Sequence, residues 1–212
     1  MKLNIVPARN GSLWVRQGLR TFFRQPLAFI SLFFFFMAMI SIASQLPVIG
    51  ATLALVLLPT MTLGLMVASA AAQSSPGLRP PAGSVFMAAL RAVRQDIRPL
   101  LVLGAFYAAG FLLVMAVSAL ADGGKFAGVY LLGQPLTREA AQETDFQVAL
   151  WITMALYLPL SLAFWHAPAL MHWHRVPPAK SIFFSLVACF RNIGALTMFG
   201  IVWLGFFLGA GI

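Results

Sequence analysis

Acidic residues are nearly missing from this chain: there are five in 212, against 14 lysines and arginines. Charge of both signs together reaches only 9%, whereas soluble domains carry about 25%. That shortage excludes an ordinary water-facing surface. Cysteine is used once, at Cys189, so no intrachain disulfide can form. Asp96 is the lone acid among the segments rich in lysine and arginine, which leaves no carboxylate pair there for general acid–base work. The few charges do not favour nucleic acid either. The net charge is +9 and the sequence pI about 11.2, yet the basic residues flank apolar runs, as membrane orientation requires.

Apolar residues make up 61% of the chain and mean hydropathy is +0.91. A ~30 Å hydrocarbon core needs about 20 apolar residues per helix. Five runs qualify, at about 27–43, 51–72, 100–121, 146–165 and 195–212. None contains Asp, Glu, Lys or Arg. The first run follows a long basic amphipathic stretch behind Met1, so it is expected to be a transmembrane helix and not a signal peptide. Pro47 and Gly50 mark a tight uncharged turn between the first two runs.

Lys2, Arg9, Arg16, Arg20 and Arg24 precede the first run. Arg79, Arg91, Arg94 and Arg98 lie between the second and third, and Arg175, Lys180 and Arg191 between the fourth and fifth. Only Lys125 and Arg138 remain for the segment from Asp122 to Asp145, beside Asp122, Glu139, Glu143 and Asp145. The asymmetry predicts a cytoplasmic N-terminus, an external Asp122–Asp145 segment and a C-terminus at Ile212 in the periplasm. The acids of "LTREAAQETDF" read as the solvated face of a helix leading into the fourth span.

"PPAGSVFMAALRAVRQ" from Pro80 recurs as "PPAKSIFFSLVACFRN" from Pro177, with a looser copy, "GSLWVRQGLRTFFRQ", from Gly11. Each copy has an apolar stripe at helical spacing and precedes an outward-going span. Ser12, Ser84 and Ser181 read as N-caps. The copies, at about 12–25, 84–96 and 181–192, are expected to be amphipathic helices in the inner leaflet, either as elbows that orient the next span or as lipid or curvature sensors. Arg16, Arg20, Arg24, Arg91, Arg94, Arg98, Lys180 and Arg191 would then meet lipid headgroups. "LVLLPTMTLGL" and "FWHAPALMHWH", with Pro59 and Pro168, extend the repeat backwards. The unit becomes helix in, elbow, helix out, repeated in parallel. The expected fold is one all-α membrane domain over 1–212, a bundle of five spans with three interfacial helices.

Candidates for chemistry are few. His166, His172 and His174 could ligate metal or haem, but steps of six and two residues do not share a helical face. A break at Pro168 could bring them together. The alternative is an interfacial belt with Trp165 and Trp173. Cys189 suits either packing or palmitoylation. "GFFLG" from Gly205 to Gly209 matches a small-residue helix-packing pattern and is expected to pack within the bundle.

"VPARNGSLWVRQGLRTFFRQPLAFISLFF", "YLPLSLAFWHAPALMHWH" and "KSIFFSLVACFRNIGA" resemble a Burkholderia-type family of β-proteobacterial inner-membrane proteins, over nearly the whole chain. More distantly, a proline, a basic helix and Arg-Asn before a span resemble YciC-like membrane domains and the membrane domain attached to some glycerophosphodiester phosphodiesterases. The resemblance implies a helical bundle in the bacterial inner membrane. It supplies no catalytic residue, because the phosphodiesterase chemistry belongs to a separate soluble domain. The functions consistent with these features are a non-enzymatic accessory or scaffold protein, a small permease or lipid-handling transporter, and a haem or metal binder. The first would bind membrane lipids, a membrane-protein partner or a second copy, with no cofactor and no nucleic acid. A groove lined by Ser31, Ser44, Thr60, Thr62, Ser69 and Tyr107 would favour the second; solid packing would favour the first.

Overall fold

Prolines set where several helices begin. A computed structural model describes residues 3–46, 49–74 and 80–211, all helical apart from turns and short connections. Lys2, Pro47, Arg79 and Ile212, which enter the sequence-based expectations, lie outside the described residues. Helix α1 (Asn10–Arg24) is followed by α2 (Pro26–Ser44), which carries Pro26 in its first turn. There the fixed φ of proline suits a helix and its missing N–H costs nothing. Helix α3 (Gly50–Gln73) runs back antiparallel to α2: Gly50 lies against Ser44, Gly64 against Phe36, and Ala68 and Ala72 share a core cluster with Ala28 and Leu32. Helix α4 (Ala82–Gln95) packs on the same ends of α2 and α3, burying Val85 and Ala89 in that cluster. Helix α5 (Ile97–Asp122) continues along α3, with Gly104 on the backbone of Val56.

Beyond α5, the 122–145 segment is more structured than a solvated helix face. It forms α6 (Lys125–Leu132) and the one-turn α7 (Arg138–Gln142), whose first turn is capped by Thr137. Asp122 is buried and accepts from the backbone N–H groups of Gly124 at 2.8 Å and Phe126 at 2.6 Å. Gly123 and Gly124, at φ 66° and 90°, make the turn that allows this. Phe126 packs on Phe146 and the Phe111–Met115 cluster, so α6 covers the end of the bundle. Lys125 pairs with Glu143, which holds the ammonium pKa above its ordinary range. Helix α8 (Thr144–Trp165) and α9 (Ala167–His174) are separated only by His166. Helix α10 (Pro178–Arg191) packs against the end of α8, with Ser185 donating to the Leu162 carbonyl, and α11 (Ile193–Gly209) is the last described helix.

Four helical stretches are long and apolar enough to cross a membrane: α2, α3, α5 and α8 with α9. A fifth exists only if α10 and α11, bent by 79° at Asn192, are taken together. The spans expected from the sequence fall on α2, α3, α5, α8 and α11. The third elbow turns at Asn192 alone; Gly194 sits within α11.

One-residue breaks at Gln25, Asp96 and Asn192 separate each of the three basic helices from the helix after it. Asp96 (φ −108°, ψ 21°) and Asn192 (φ −117°, ψ 25°) share a conformation. The entries also match, at Pro81 (−56°, 139°) and Pro177 (−56°, 147°). These ends are 96 residues apart, whereas the sequence match runs at 97. The slip corrects the serine assignment. Ser12, Ser84 and Ser181 lie inside the first turn, and their hydroxyls donate to the carbonyls of Arg9, Pro81 and Pro178 at 2.7–2.8 Å. None accepts a free helix N–H. At the second and third copies, prolines of fixed φ already make the extended entry, so the helix starts ahead of the serine.

The Gly205–Gly209 pattern does not pack within the bundle: among the described residues no neighbouring atom lies within 4 Å of a Cβ at either position. The glycine that does bring α11 onto a neighbour is Gly11. A Cβ there would lie 2.1 Å from the Ala195 carbonyl oxygen and 2.5 Å from the Phe199 nitrogen. Farther along, Leu19 and Phe23 share a cavity with Val202 and Phe206, so α1 and α11 run side by side. Asn192 ties the N-terminal segment to this pair, accepting from the Val6 N–H at 2.9 Å and donating to Asn4 at 3.1 Å.

Candidate functional site

Because α10 and α11 are bent apart, α11 does not close against α8 as α5 closes against α3. The seam left between α11 and the α3–α5–α8 packing holds a cavity of about 790 Å³. That is within the ~300–1,000 Å³ range of ligand sites. Thr62, Met66 and Ser69 line it from α3, Tyr107 from α5, Tyr157, Ser161 and Trp165 from α8, and Phe199 and Trp203 from α11. Its hydroxyls are largely spoken for. Thr62 donates to Leu58 at 3.0 Å, Ser69 donates to Leu65 at 2.8 Å, and the Tyr107 and Tyr157 hydroxyls lie 3.3 Å apart. Back-bonded hydroxyls present mostly hydrocarbon to the space. An acyl chain suits such a lining better than a polar solute.

Of the six groove residues expected, Thr62, Ser69 and Tyr107 meet here. Thr60 is buried with no hydrogen-bond partner for its hydroxyl, and Ser31 and Ser44 are exposed on α2. Tyr157 and Ser161 come from the 144–165 helix and carried no spacing signal toward the other three.

The histidines separate. His166 and His174 line a second cavity of about 370 Å³ with Trp14, Trp173 and Asn192, and the His166 N–H donates to the Ser185 hydroxyl at 2.9 Å. His172 turns to Asp96, with Nδ1 2.5 Å from Oδ2. Arg175 donates to the other carboxylate oxygen at 2.7 Å. A carboxylate only accepts, so Nδ1 carries the shared proton. Among the described residues no three His, Cys, Asp or Glu side chains gather where they could hold a metal. The break at His166 therefore does not bring the three histidines together. Asp96 read from sequence only as a solitary acid. Its partners lie 76 and 79 residues away, with no periodicity to link them.

Cys189 is buried, with its thiol against the Leu162 carbonyl at 3.5 Å, which removes the palmitoylation reading. Arg16, Arg20, Arg91, Arg94, Arg98, Lys180 and Arg191 are exposed and Arg24 is half-buried. Among the described residues none of them pairs with a carboxylate.

The chain is similar to a probable inner membrane protein of Burkholderia thailandensis, 38% identical over 212 residues that take in 99% of this chain and 77% of that protein. No family model matches the chain, and no solved structure matches it. This whole-length identity, together with four to five candidate spans, makes the chain a multi-pass inner-membrane protein that belongs to the family of that Burkholderia protein.

Proposed function

We propose that this is a non-enzymatic accessory or scaffold protein of the inner membrane that holds a membrane lipid in the seam beside α11. The seam's lining carries the reading: it has ligand-sized volume, aromatic and aliphatic walls, and Thr62 and Ser69 hydroxyls already bonded to helix carbonyls. Ser161 sits in the middle of the α8 wall. Ser161→Trp is expected to fill the seam, and native mass spectrometry from mild detergent should then show a bound phospholipid lost that wild type retains. Equal lipid retention by both would count against the proposal.

A second reading, a small permease or lipid-handling transporter, draws on the hydroxyls of Thr62, Ser69 and Tyr107 in the same seam. Vesicles carrying a headgroup-labelled lipid separate the two. The accessory role predicts no acceleration of lipid movement between leaflets; transport predicts a clear one. A haem or metal role has no three-donor group behind it among the described residues.

Within this proposal α1, α4 and α10 are amphipathic helices at the cytoplasmic face. The units α3–α4–α5 and α8/α9–α10–α11 would form a parallel repeat, a reading supported by matching entries and breaks 96 residues apart. The charge asymmetry supports cytoplasmic fusions after Gln73 and Arg175 and a periplasmic one after Gly124. A reporter fused at Gly211 is expected in the periplasm. A cytoplasmic reporter there would make α11, at 17 residues, a helix lying along the inner leaflet beside α1.

A further inference from the structure

Helix α1 carries its arginines between two adjoining cavities of opposite character. On one side, Gln17, Arg20, Thr21, Arg24 and Gln73, all polar residues, line an open pocket of about 380 Å³. The polar wall is ordered: Gln73 donates to the Thr21 hydroxyl at 3.0 Å, and that hydroxyl donates to the Gln17 carbonyl at 2.8 Å. On the other side, Val15, Leu19 and Phe23 of α1 and Val202 and Phe206 of α11 line an apolar groove of about 670 Å³. Arg20 and Arg24 border both. Their i, i+4 spacing puts both guanidinium groups on one face of the helix.

All five acids of the chain are among the described residues, and none pairs with an α1 arginine. Among the described residues no carboxylate complements Arg20 and Arg24, which leaves them open to an anion from the membrane. A free phosphate would use only the polar space. A lipid of zero net charge would bring its own cation toward the arginines. We infer that this is a docking site for an anionic glycerophospholipid, with its phosphate held between Arg20 and Arg24 and an acyl chain in the α1–α11 groove. Phe23, 67% exposed, lines that groove and offers an acyl chain an apolar surface. Guanidinium groups suit the phosphate because they offer several N–H donors in a planar fork.

The inference deepens the lipid-binding reading by naming a lipid class, but it rests on a different site, so each can fail without the other. Its test is binding of short-chain phosphatidylglycerol to the full chain in uncharged detergent, read by calorimetry. Phosphatidylglycerol should bind at least about tenfold more tightly than the matching phosphatidylcholine. Measured in a Ser161→Trp background, so that the filled seam does not contribute, the double variant Arg20→Gln with Arg24→Gln should lose about 30-fold in phosphatidylglycerol affinity. Arg91→Gln with Arg94→Gln, which changes the same number of charges on α4, should leave affinity within about twofold. Equal affinity for the two lipids would overturn the inference, as would full competition by inorganic phosphate or an equal loss in the α4 variant. Arg20→Lys with Arg24→Lys keeps the charge, so a well-folded protein that binds phosphatidylglycerol no better than the glutamine pair would mark the guanidinium geometry as decisive. Recovery to within about threefold of wild type would support an electrostatic phosphate site.

Discussion

Replacing Gly104 with valine should destabilise the bundle more than any other single change considered, by about 3 kcal/mol or more. A Cβ at 104 would lie 2.0 Å from the Val56 carbonyl oxygen and 2.8 Å from its carbon. Carbon and oxygen in a favourable Cα–H···O contact sit about 3.3–3.6 Å apart, so α3 and α5 would have to separate by more than an ångström. The obstacle is backbone inside two helices and cannot swing aside as a side chain can. Overpacking typically costs 1–3 kcal/mol, and here the displaced contact runs along one of the most extensive interfaces in the molecule. In lipid, such close approach at small residues supplies much of the association between helices. The control is Gly205→Ala. That position has nothing within 4 Å, and alanine favours helix over glycine by up to about 1 kcal/mol. Thermal unfolding in detergent should show a large loss for the valine at 104 and none for the alanine at 205. Equal midpoints for both variants would refute this view of the α3–α5 contact.

Asp96→Ala should have the next largest effect, about 2–3 kcal/mol, and most of it should come from His172 rather than Arg175. The Asp96 side chain is 6% exposed and that of His172 14%, so removing the carboxylate leaves a buried ring N–H unpaired, at about 1–3 kcal/mol. The Arg175 side chain is 62% exposed and regains water, so its ion pair contributes no more than about 1 kcal/mol. The Asp96 side chain caps no backbone N–H of α5, so no helix cap is lost with it. Asp96→Ala should lower the unfolding midpoint by roughly 4–12 °C, Arg175→Ala by much less, and Asp96→Asn should fall between them. An Arg175→Ala variant as damaged as Asp96→Ala would mean that the exposed ion pair, and not the buried hydrogen bond, ties α9 to the α4–α5 break.

These two sites show what one sequence can and cannot reveal. The apolar runs and the placement of lysine and arginine were enough to locate α2, α3, α5 and α8, because a hydrocarbon core imposes length and uncharged composition directly on the chain. Helices also stand at the three basic segments, as α1, α4 and α10. They start two to three residues ahead of the serines, and at α4 and α10 it is proline that makes the entry. Pairings distant in sequence left no trace. Asp96 finds His172 and Arg175, and Asn192 finds Asn4 and Val6, only after folding. Glycine was misleading in the same way. The recognisable Gly205–Gly209 spacing meets nothing, while isolated Gly11 and Gly104 sit against neighbouring backbone. The seam was half legible: the hydroxyls of Thr62, Ser69 and Tyr107 and a turn near Asn192 could be read, but Tyr157, Ser161 and the open space beside α11 could not.

Whether the seam holds lipid is measured most directly by photo-crosslinking. The wild-type chain would be placed in nanodiscs containing a phospholipid with a diazirine in one acyl chain, and the adducts mapped by peptide mass spectrometry. Residues 157–165 and 199–203 should carry adducts well above those at Phe33 and Phe34, which face outward from α2. Ser161→Trp should remove that excess. Adducts spread over the exposed faces of α2 and α5, with none in the two seam segments, would contradict the account.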